Sequence, residues 1–421
     1  MQRGIIAAIC AEKANGIGIL SKNGVIIVGA GHGGVQAAAS LREEGFDGPV
    51  TLVGDEAELP YHKPPLSKTF IKDSDARPQV LRGEAFYEQN RIALRLGSRV
   101  EAIEPSRVLF ADGSRQDFDH LVLATGSRPR ALKFPGSDLL GVLSLRSVED
   151  ARAIRAGSTS VEDVVVLGGG FIGLEIAATL ALGGRRVTGI EAQDRLLGRA
   201  SRQGISDHVR RRLEGLGIRI LTRATLDRLE GANGNVAAAV TAAGERIPAG
   251  MAIVGVGVVP NVELAQAAGV ACANGIRVDP GMRTSVPNVL AVGDNAVYRH
   301  WQAGTDERLE SGQNATDQAK AAARTILGHG DDYVAVPWFW SDIGDIKLQM
   351  VGLTGLGDRH VVTGDPADNK FAVYHYAGPV LVGIDTVNRP ADHMLGRKMI
   401  GAGFSPHPDR SEEHTSELQS H

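Results

Sequence analysis

Two stretches of the chain alternate short β-branched runs with alanine-rich helical stretches. In each, an apolar run ends in glycines, a helical stretch follows and a second apolar run completes the pattern of a βαβ unit. The predicted elements are, in order, strand 25–28, helix 35–41, strand 50–53, strand 164–167, helix 173–181 and strand 186–190. The sequence therefore predicts two βαβ units.

Two further apolar runs, 121–124 and 289–292, stand apart from these units, and each runs into a glycine. Alternating strands and helices favour parallel, doubly wound sheets. From about Tyr333 the pattern changes to alternating residues rich in aromatics, including Trp338 and Trp340. We expect an α/β protein with two doubly wound sheets and a smaller α+β domain at its C-terminal end.

Composition excludes several classes of protein. Glycine is enriched, at 53 of 421 residues, which indicates many tight turns and close backbone approaches to a ligand. The 45 Lys+Arg against 49 Asp+Glu give a net charge of −4, so nucleic acid is not an expected partner. Two cysteines, Cys10 and Cys272, cannot build a disulfide framework, a Cys-x-x-Cys pair or a thiolate metal cluster within one chain. We expect no metal site and a cytoplasmic location.

Both ends of the chain differ from the rest. The apolar run 4–11 falls short of the roughly 20 residues that span a bilayer, and it matches a signal peptide only weakly. We therefore expect no membrane partner. Residues 1–22 attach to no predicted element, and 411–421 is polar with one apolar residue. We interpret the first as an appendage and the second as a non-native tail.

A G-x-G-x-x-G motif, Gly29, Gly31 and Gly34, directly follows the first strand. The first glycine of such a motif allows a tight turn, the second lets a pyrophosphate approach the backbone, and the third lets helix and strand pack closely. The helix N-terminus then offers free N–H groups to the phosphates. Asp55 or Glu56, after the next strand, can accept hydrogen bonds from a ribose. An ordinary glycine-rich turn is the alternative.

The second unit repeats the motif at Gly168, Gly170 and Gly173, with Glu191 after its next strand. Two motifs in one chain imply two dinucleotides. Glu191 favours NADH over NADPH, because a carboxylate that binds the 2′-hydroxyl would repel a 2′-phosphate by about 4 kcal/mol per unit charge pair at a dielectric constant near 20. Three basic residues nearby in sequence could offset this repulsion: Arg185, Arg186 and Arg195.

The two isolated strands end in turns of small residues, 124–126 (Ala-Thr-Gly) and 291–294 (Ala-Val-Gly-Asp). Doubly wound folds bind their ligands at this carboxyl edge of the sheet. The Gly-Asp pair can hold a polyol chain, since the glycine allows close approach and the carboxylate accepts hydroxyl hydrogens. An ordinary turn at the end of a strand is the alternative for either segment alone.

Six segments together carry a family resemblance. They are Val-Ile-Ile-Val-Gly-Ala-Gly-His-Gly-Gly (25–34), Pro-Pro-Leu-Ser-Lys (64–68), Leu-Ala-Thr-Gly-Ser-Arg-Pro-Arg (123–130), Gly-Gly-Gly-Phe-Ile-Gly-Leu-Glu (168–175), Ala-Val-Gly-Asp (291–294) and Pro-Trp-Phe-Trp-Ser-Asp (337–342). In order and spacing, from about Val25 to Arg410, the chain resembles the FAD-dependent NADH:ferredoxin reductases of bacterial oxygenase systems.

The resemblance implies two Rossmann-like dinucleotide-binding domains, with FAD and NAD as cofactors and a small, acidic 2Fe–2S ferredoxin as the electron acceptor. The implied division is a first FAD segment at 23–126, an NAD domain at 127–256, a second FAD segment at 257–330 and a C-terminal α+β domain at 331–410. In such a protein NADH gives a hydride to FAD, and electrons pass singly to the ferredoxin.

The same resemblance gives Lys68 and Glu175 special weight as a pair beside the flavin and the nicotinamide. A surface lysine and a charge at a helix start are the alternatives. The residues implied to contact the cofactors are Gly29, Gly31, Gly33, Gly34, Asp55, Glu56, Lys63, Lys68, Val100, Ala124, Thr125, Gly126, Arg130, Arg146, Gly168, Gly170, Gly173, Glu175, Glu191, Gly257, Asp294, Gly312, Trp338 and Trp340.

Two surface features admit two interpretations each. Trp338 and Trp340 face one way in an extended strand, so they either cover the flavin or belong to a domain core. A basic cluster on a predicted helix is either a solvated face or a patch that steers an acidic ferredoxin. Its members are His208, Arg210, Arg211 and Arg212.

The number and positions of the cysteines distinguish a ferredoxin reductase from related enzymes of similar architecture. Disulfide reductases of similar architecture need a cysteine pair, and peroxidases or NADH oxidases of this type need one redox cysteine near the flavin, so the positions of Cys10 and Cys272 disfavour both. Two alternatives to a ferredoxin reductase stay open. One is a signalling flavoprotein that resembles apoptosis-inducing factor, and the other is a reductase of a small organic acceptor.

Overall fold

The computed structural model describes residues 22–330 and 332–407. The interpretation of the tail 411–421 and all but the last residue of the predicted appendage 1–22 lie outside the described residues, as does Cys10. Within the described ranges, no helix is both long and apolar enough to cross a membrane.

The first stretch of chain opens with the predicted strand–helix–strand unit and ends in five strands with no helix between them. Its strands are β1 (Val25–Val28), β2 (Val50–Val53), β3 (Ile92–Arg95), β4 (Val100–Glu104), β5 (Arg107–Phe110), β6 (Arg115–Asp117) and β7 (His120–Leu123). Its helices are α1 (His32–Glu43), α2 (Thr69–Lys72) and α3 (Glu84–Gln89), with a 3-10 turn at Pro64–Ser67. Helix α1 begins three residues before the predicted 35–41, because Gly31 caps it and Gly33 and Gly34 are helical.

The second stretch is built in the same way. Its strands are β8 (Ser127–Pro129), β9 (Val142–Leu143), β10 (Asp163–Leu167), β11 (Arg186–Ile190), β12 (Arg219–Leu221), β13 (Leu226–Ala232), β14 (Asn235–Thr241), β15 (Arg246–Pro248) and β16 (Met251–Val254). Its helices are α4 (Val148–Ser160), α5 (Phe171–Leu182) and α6 (Gln203–Gly215).

The third and fourth stretches complete the chain. The third has strands β17 (Val258–Pro260), β18 (Cys272–Ala273), β19 (Gly275–Val278), β20 (Val289–Ala291), β21 (Ala296–Arg299) and β22 (Asp306–Glu307), with helices α7 (Glu263–Ala267) and α8 (Gly312–Ile326). The fourth has strands β23 (Trp338–Ile343), β24 (Ile346–Gly352), β25 (Arg359–Asp365), β26 (Lys370–Ala377) and β27 (Val380–Val387), a 3-10 turn at Thr354–Leu356 and helix α9 (Pro390–Gly401).

Two five-stranded sheets share one layout. The first has the order β20-β7-β1-β2-β3 and the second β12-β11-β10-β16-β9, and every pair in both is parallel. All four residues of β1 are buried, as expected for a central strand covered on both faces. Each of these two units also has a three-stranded antiparallel sheet, β4-β5-β6 in the first and β13-β14-β15 in the second. In sequence, these strands come between the edge strand, β3 or β12, and the strand that returns to pair with the central one, β7 or β16.

The chain crosses between these sheets twice, and strand β20 completes the first sheet only after the second has been built. The crossings are β8 and β17, which pair with each other in antiparallel fashion. The predicted α/β fold with two Rossmann-like units is confirmed. An antiparallel sheet in the order β23-β24-β27-β26-β25, flanked by α9, forms the predicted C-terminal unit.

The C-terminal sheet packs closely against the second parallel unit. Phe371 and Val373 share one hydrophobic cluster with Ile205 and Val209 of α6. His208 belongs to this contact, because it is 2% exposed and its ring lies 4.9 Å from that of Phe371. Helix α6 therefore buries one face against the C-terminal sheet.

The expectation of a single exposed basic cluster on α6 is wrong. His208 is buried, and its ring shares a hydrogen bond of 2.7 Å with the Asn369 side chain. Arg210 pairs with Glu214 at 2.8 Å, one turn away, and Arg212 pairs with Asp345 of the C-terminal unit. His208 lies on the buried side of α6 with Ile205, Val209 and Leu213, whereas the side chains of Arg211 and Arg212 are exposed.

Candidate functional site

The first glycine motif lies in the turn between β1 and α1. Gly29 has φ +112°, and a Cβ there would come within 2.1 Å of the Ala124 carbonyl oxygen. A Cβ on Gly34 would come within 1.8 Å of the Gly29 oxygen, whereas one on Gly31 would meet nothing within 4 Å. The first and third glycines are therefore required by packing, and the second faces open space where a pyrophosphate fits.

The second motif repeats this geometry between β10 and α5. Gly168 has φ +102°, and a Cβ there would come within 2.4 Å of the Gly255 oxygen. A Cβ on Gly173 would lie 2.6 Å from the Gly168 oxygen, and one on Gly170 would again meet nothing within 4 Å. Both units thus offer a helix N-terminus and an open approach to phosphate.

A second helix N-terminus adjoins the first motif. Helix α8 begins at Gly312, and its cap Ser311 accepts a hydrogen bond of 3.1 Å from the Asn314 N–H. A Cβ on Gly312 would lie 3.8 Å from the His32 ring, at the start of α1. Gly33 packs nearby, where a Cβ would lie 3.3 Å from Val292. The positive ends of two helix dipoles therefore meet at one place.

The acidic residues after β2 separate into two environments. Asp55 is exposed. Glu56 accepts hydrogen bonds from the Tyr61 hydroxyl and, at 3.3 Å, from the Lys63 ammonium. Lys63 also donates to the Arg146 carbonyl at 3.2 Å, and burial lowers the pKa of Lys63. Glu56 and Lys63 form one cluster, and Asp55 is left facing solvent at the carboxyl end of the strand.

Arg146 joins the turns that end β7 and β20. Its Nη2 donates to the Asp294 carboxylate at 3.0 Å, and Ser127 donates to the same oxygen at 2.8 Å. A Cβ on Gly126 would lie 3.2 Å from that guanidinium nitrogen. Thr125 donates to the Asn261 carbonyl at 2.8 Å. These contacts bring the two predicted small-residue turns together at one edge of the first sheet.

Glu191 is held by backbone N–H groups in the second unit. Its carboxylate accepts hydrogen bonds from Gly169 at 2.5 Å and from Gln193 at 2.6 Å. The carboxylate therefore lies beside the glycine turn, at the end of β11, where a nucleotide ribose would lie on a parallel sheet of this kind.

The two units meet at an ion pair. The Lys68 ammonium lies 2.8 Å from the Glu175 carboxylate, and the two side chains are 18% and 8% exposed. Lys68 follows the 3-10 turn beside the first sheet, and Glu175 stands in the second turn of α5. Ser67 donates to Glu175 at 2.5 Å and Ser341 at 2.6 Å. Residues predicted as a pair from distant motifs thus form one buried contact.

Strand β23 places its two tryptophans in different surroundings. The Lys68 ammonium lies 5.3 Å from the centroid of the Trp340 ring, which is 38% exposed. Trp338 instead packs against α9, where Arg397 lies 4.6 Å from its ring centroid and His393 meets it edge-on at 5.6 Å. Trp340 borders the ion pair and Trp338 borders the C-terminal helix.

Three other predicted residues, Val100, Arg130 and Gly257, lie away from the ion pair. Val100 is buried in one hydrophobic cluster with Val53. Arg130 is exposed, and its backbone N–H donates to the Gly257 carbonyl at 2.9 Å. Arg130 and Gly257 therefore stand at the crossing between the two sheets, at the ends of β8 and β17.

Sequence reasoning missed a histidine pair beside the first motif. His32 and His62 share a hydrogen bond of 3.3 Å between ring nitrogens. Burial, with a smaller contribution from His62, lowers the pKa of His32 to about 4, so the ring is neutral at neutral pH. Both residues lie within or beside the motifs quoted above, but nothing in the sequence shows that they touch.

The comparisons with known proteins agree with this geometry. Residues 23–319 match the pyridine nucleotide-disulphide oxidoreductase family, and 338–421 match the reductase C-terminal family. The chain belongs to the pyridine nucleotide-disulphide oxidoreductase family. It is 39% identical to a rhodocoxin reductase of Rhodococcus erythropolis over 94% of this chain and 93% of that protein.

Two solved structures resemble this family member along most of its length. A ferredoxin reductase from Rhodopseudomonas palustris superposes with a TM-score of 0.91 at 40% identity, covering 93% of this chain and 97% of that one. The covalent complex of putidaredoxin reductase with putidaredoxin gives 0.89 at 36% identity, covering 92% and 95%.

The disulphide chemistry in the family's name has no counterpart in the described site. Cys272, the cysteine that falls within the described ranges, lies in β18 and donates to the Val270 carbonyl at 3.4 Å. Burial raises the pKa of Cys272, which disfavours a thiolate. The described residues therefore hold no cysteine pair that could carry disulphide chemistry.

Proposed function

We propose that the protein is an FAD-dependent NADH:ferredoxin oxidoreductase that serves an oxygenase system through a small 2Fe–2S ferredoxin. The observation that carries the proposal is the Lys68–Glu175 ion pair, which joins two glycine-motif units. The matched relatives are named as a rhodocoxin reductase and as a putidaredoxin reductase held in complex with putidaredoxin. Both names support an iron–sulfur or similarly small protein as the acceptor.

The first unit fits FAD. Gly31 and the paired helix N-termini at His32 and Gly312 would hold the pyrophosphate, since free N–H groups and positive dipole ends favour it. Asp55 would accept from the adenosine ribose, and Asp294 from the ribityl hydroxyls. Lys68 and Trp340 would border the reacting ring.

The second unit fits NADH better than NADPH. Glu191 stands where the ribose hydroxyls would bind, and the three arginines that could neutralise it are engaged elsewhere. Arg185 donates to the Val161 carbonyl at 2.8 Å, Arg186 pairs with Asp163 at 2.7 Å, and Arg195 donates to the Gly198 carbonyl at 2.9 Å. A 2′-phosphate would therefore meet a Glu191 carboxylate that none of these three guanidinium groups bonds.

The flavin, when bound, accepts a hydride and returns the electrons one at a time. The chain supplies position and charge. Lys68 would stabilise the negative charge that arrives with the hydride, and Glu175 keeps that ammonium at the junction of the two units. Phe171 and Phe339, whose rings lie 4.7 Å apart, would limit the access of water beside the start of α5.

We propose the domain division predicted from the sequence: FAD segments at 23–126 and 257–330, an NAD domain at 127–256 and a C-terminal domain at 331–410. The strand order supports it, because β20 of the third stretch completes the first sheet. We also propose a cytoplasmic location, which the cysteine content favours: the sequence has two cysteines, 262 positions apart.

Anaerobic mixing with NADH tests the function. We expect rapid bleaching of bound flavin, followed by turnover with a 2Fe–2S ferredoxin and little turnover with small organic acceptors. Slow reduction with a long-lived NADH complex would instead indicate a signalling flavoprotein. Turnover with small organic acceptors but not with a ferredoxin would indicate a reductase of a small organic acceptor.

Lys68→Ala should slow flavin reduction by roughly tenfold to a hundredfold, because the positive charge nearest the reacting ring is lost. Stopped-flow absorbance at saturating NADH measures the rate constant. Lys72→Ala is the matched control, since Lys72 is an exposed lysine four residues along. Equal rates in Lys68→Ala and wild type would remove Lys68 from the mechanism.

A further inference from the structure

The Glu175 carboxylate receives three donors from two other parts of the chain. Its Oε1 accepts from Ser341 at 2.6 Å and pairs with the Lys68 ammonium at 2.8 Å, and its Oε2 accepts from Ser67 at 2.5 Å. Ser67 and Lys68 precede α2, whereas Ser341 belongs to the C-terminal sheet. The Glu175 carboxylate of the second unit is therefore bonded both by the segment beside the first sheet and by the C-terminal sheet.

The Glu175 carboxylate is buried, and it therefore depends on these three donors. Glu175 is 7% exposed, Ser67 is 4% exposed and Ser341 is fully buried. A buried carboxylate needs donors to offset the loss of water, and hydrogen bonds to a charged group are the stronger kind. Because Ser341 and Lys68 share one oxygen, the Ser341 hydroxyl fixes the direction in which that oxygen meets the ammonium.

Three successive residues of β23 touch three parts of the site. Phe339 contacts Phe171 at the start of α5, Trp340 faces the Lys68 ammonium, and Ser341 bonds the carboxylate. The strand itself is fixed by its antiparallel pairing with β24. The C-terminal sheet therefore presents a rigid set of contacts to the junction of the two nucleotide units.

We infer that Ser341, assisted by Ser67, is a positioning residue for flavin reduction. Its hydroxyl holds the Glu175 carboxylate so that the Lys68 ammonium is kept at the reacting edge of the flavin. This inference rests on the proposed function. It assigns the C-terminal sheet a part in the step with NADH, in addition to any part in meeting the electron acceptor.

The test compares Ser341→Ala with Ser341→Thr, which keeps the hydroxyl. We expect the flavin reduction rate at saturating NADH to fall about tenfold in Ser341→Ala, the loss typical of one hydrogen bond to a charged group. The NADH dissociation constant should change less than about twofold, and Ser341→Thr should recover most of the rate. Thr386→Val is the matched control, because it removes another buried hydroxyl of the same sheet, bonded to the Gln349 carbonyl.

A double-mutant cycle separates positioning from structure. Ser341→Ala should shift the midpoint potential of the bound flavin in the wild-type background and leave it unchanged in Glu175→Gln, since the hydroxyl acts through that carboxylate. Additive shifts, or a normal rate in Ser341→Ala, would overturn the inference. If Ser341→Ala fails to bind FAD, Ser67→Ala, which leaves the C-terminal sheet intact, decides by the same measurements.

Failure of the inference is distinguishable from failure of the proposed function. Wild-type protein that binds flavin but is not reduced by NADH would contradict the function itself. Rapid reduction of wild type together with unaltered reduction in both serine variants would contradict only the role given to the two hydroxyls.

Discussion

Gly170→Asp should abolish NADH binding while the fold and the bound flavin survive. Gly170 has φ −85° and ψ 173°, which any residue adopts, and a Cβ there meets nothing within 4 Å. Aspartate also caps a helix N-terminus well, so α5 keeps or gains stability. Its carboxylate would occupy the phosphate position and repel the pyrophosphate by about 4 kcal/mol per unit charge pair near 4 Å, roughly a thousandfold in affinity.

Calorimetric titration with NAD⁺ and anaerobic titration with NADH measure this loss, and thermal unfolding with flavin content checks the fold. Gly204→Asp is the control, because Gly204 is also exposed at the start of a helix of the same unit with nothing within 4 Å of its Cβ position. NADH affinity within tenfold of wild type in Gly170→Asp would show that this turn does not hold the phosphates.

The nucleotide units were predictable because their signals are local. Gly29 and Gly34 sit within six positions of each other, and the turn they form follows from their backbone freedom and close packing. The same holds for Gly168 and Gly173. The strands that precede the two motifs were predictable for a related reason, since a fully buried parallel strand such as β1 is a continuous apolar run.

The junction of the site was predictable only in part. The Lys68–Glu175 pair came from a resemblance, and its two serine donors were not assigned. Ser67 and Glu175 are 108 positions apart and Ser341 is 166 positions beyond Glu175. Hydroxyl side chains at such separations give no periodic signal, because only the packing of three units on one another brings them together.

His208 is the opposite case, because the sequence suggested a basic cluster that the structure does not contain. Three arginines at 210–212 follow it closely in sequence, and composition alone groups it with them. The C-terminal sheet covers one face of α6, so the ring packs on Phe371 and bonds Asn369. Burial lowers the pKa of His208, which removes it from any positively charged surface at neutral pH. The periodicity of a helix shows which residues share a face, but the buried face can be assigned only when the surface that packs against the helix is known.

Glu191→Gln should remove most of the discrimination between NADH and NADPH. The glutamine keeps the shape of the side chain and the bond from either Gly169 or Gln193, but it loses the charge that would repel a 2′-phosphate. That repulsion is worth about 4 kcal/mol per unit charge pair near 4 Å, roughly a thousandfold in affinity. We expect kcat/KM for NADPH to rise about a hundredfold and that for NADH to fall about tenfold, since a neutral amide accepts a weaker hydrogen bond from a ribose hydroxyl than a carboxylate does.

Steady-state kinetics with both nucleotides and one acceptor measure the ratio of kcat/KM values. Asp194→Asn is the matched control, because Asp194 is a 53% exposed carboxylate three residues beyond Glu191, paired with Arg195. It should leave the ratio within about twofold of wild type, which separates a general change of charge from one at the ribose site. A ratio that is equally unmoved in Glu191→Gln would place the adenosine ribose elsewhere, and the end of β11 would then hold no part of the nucleotide.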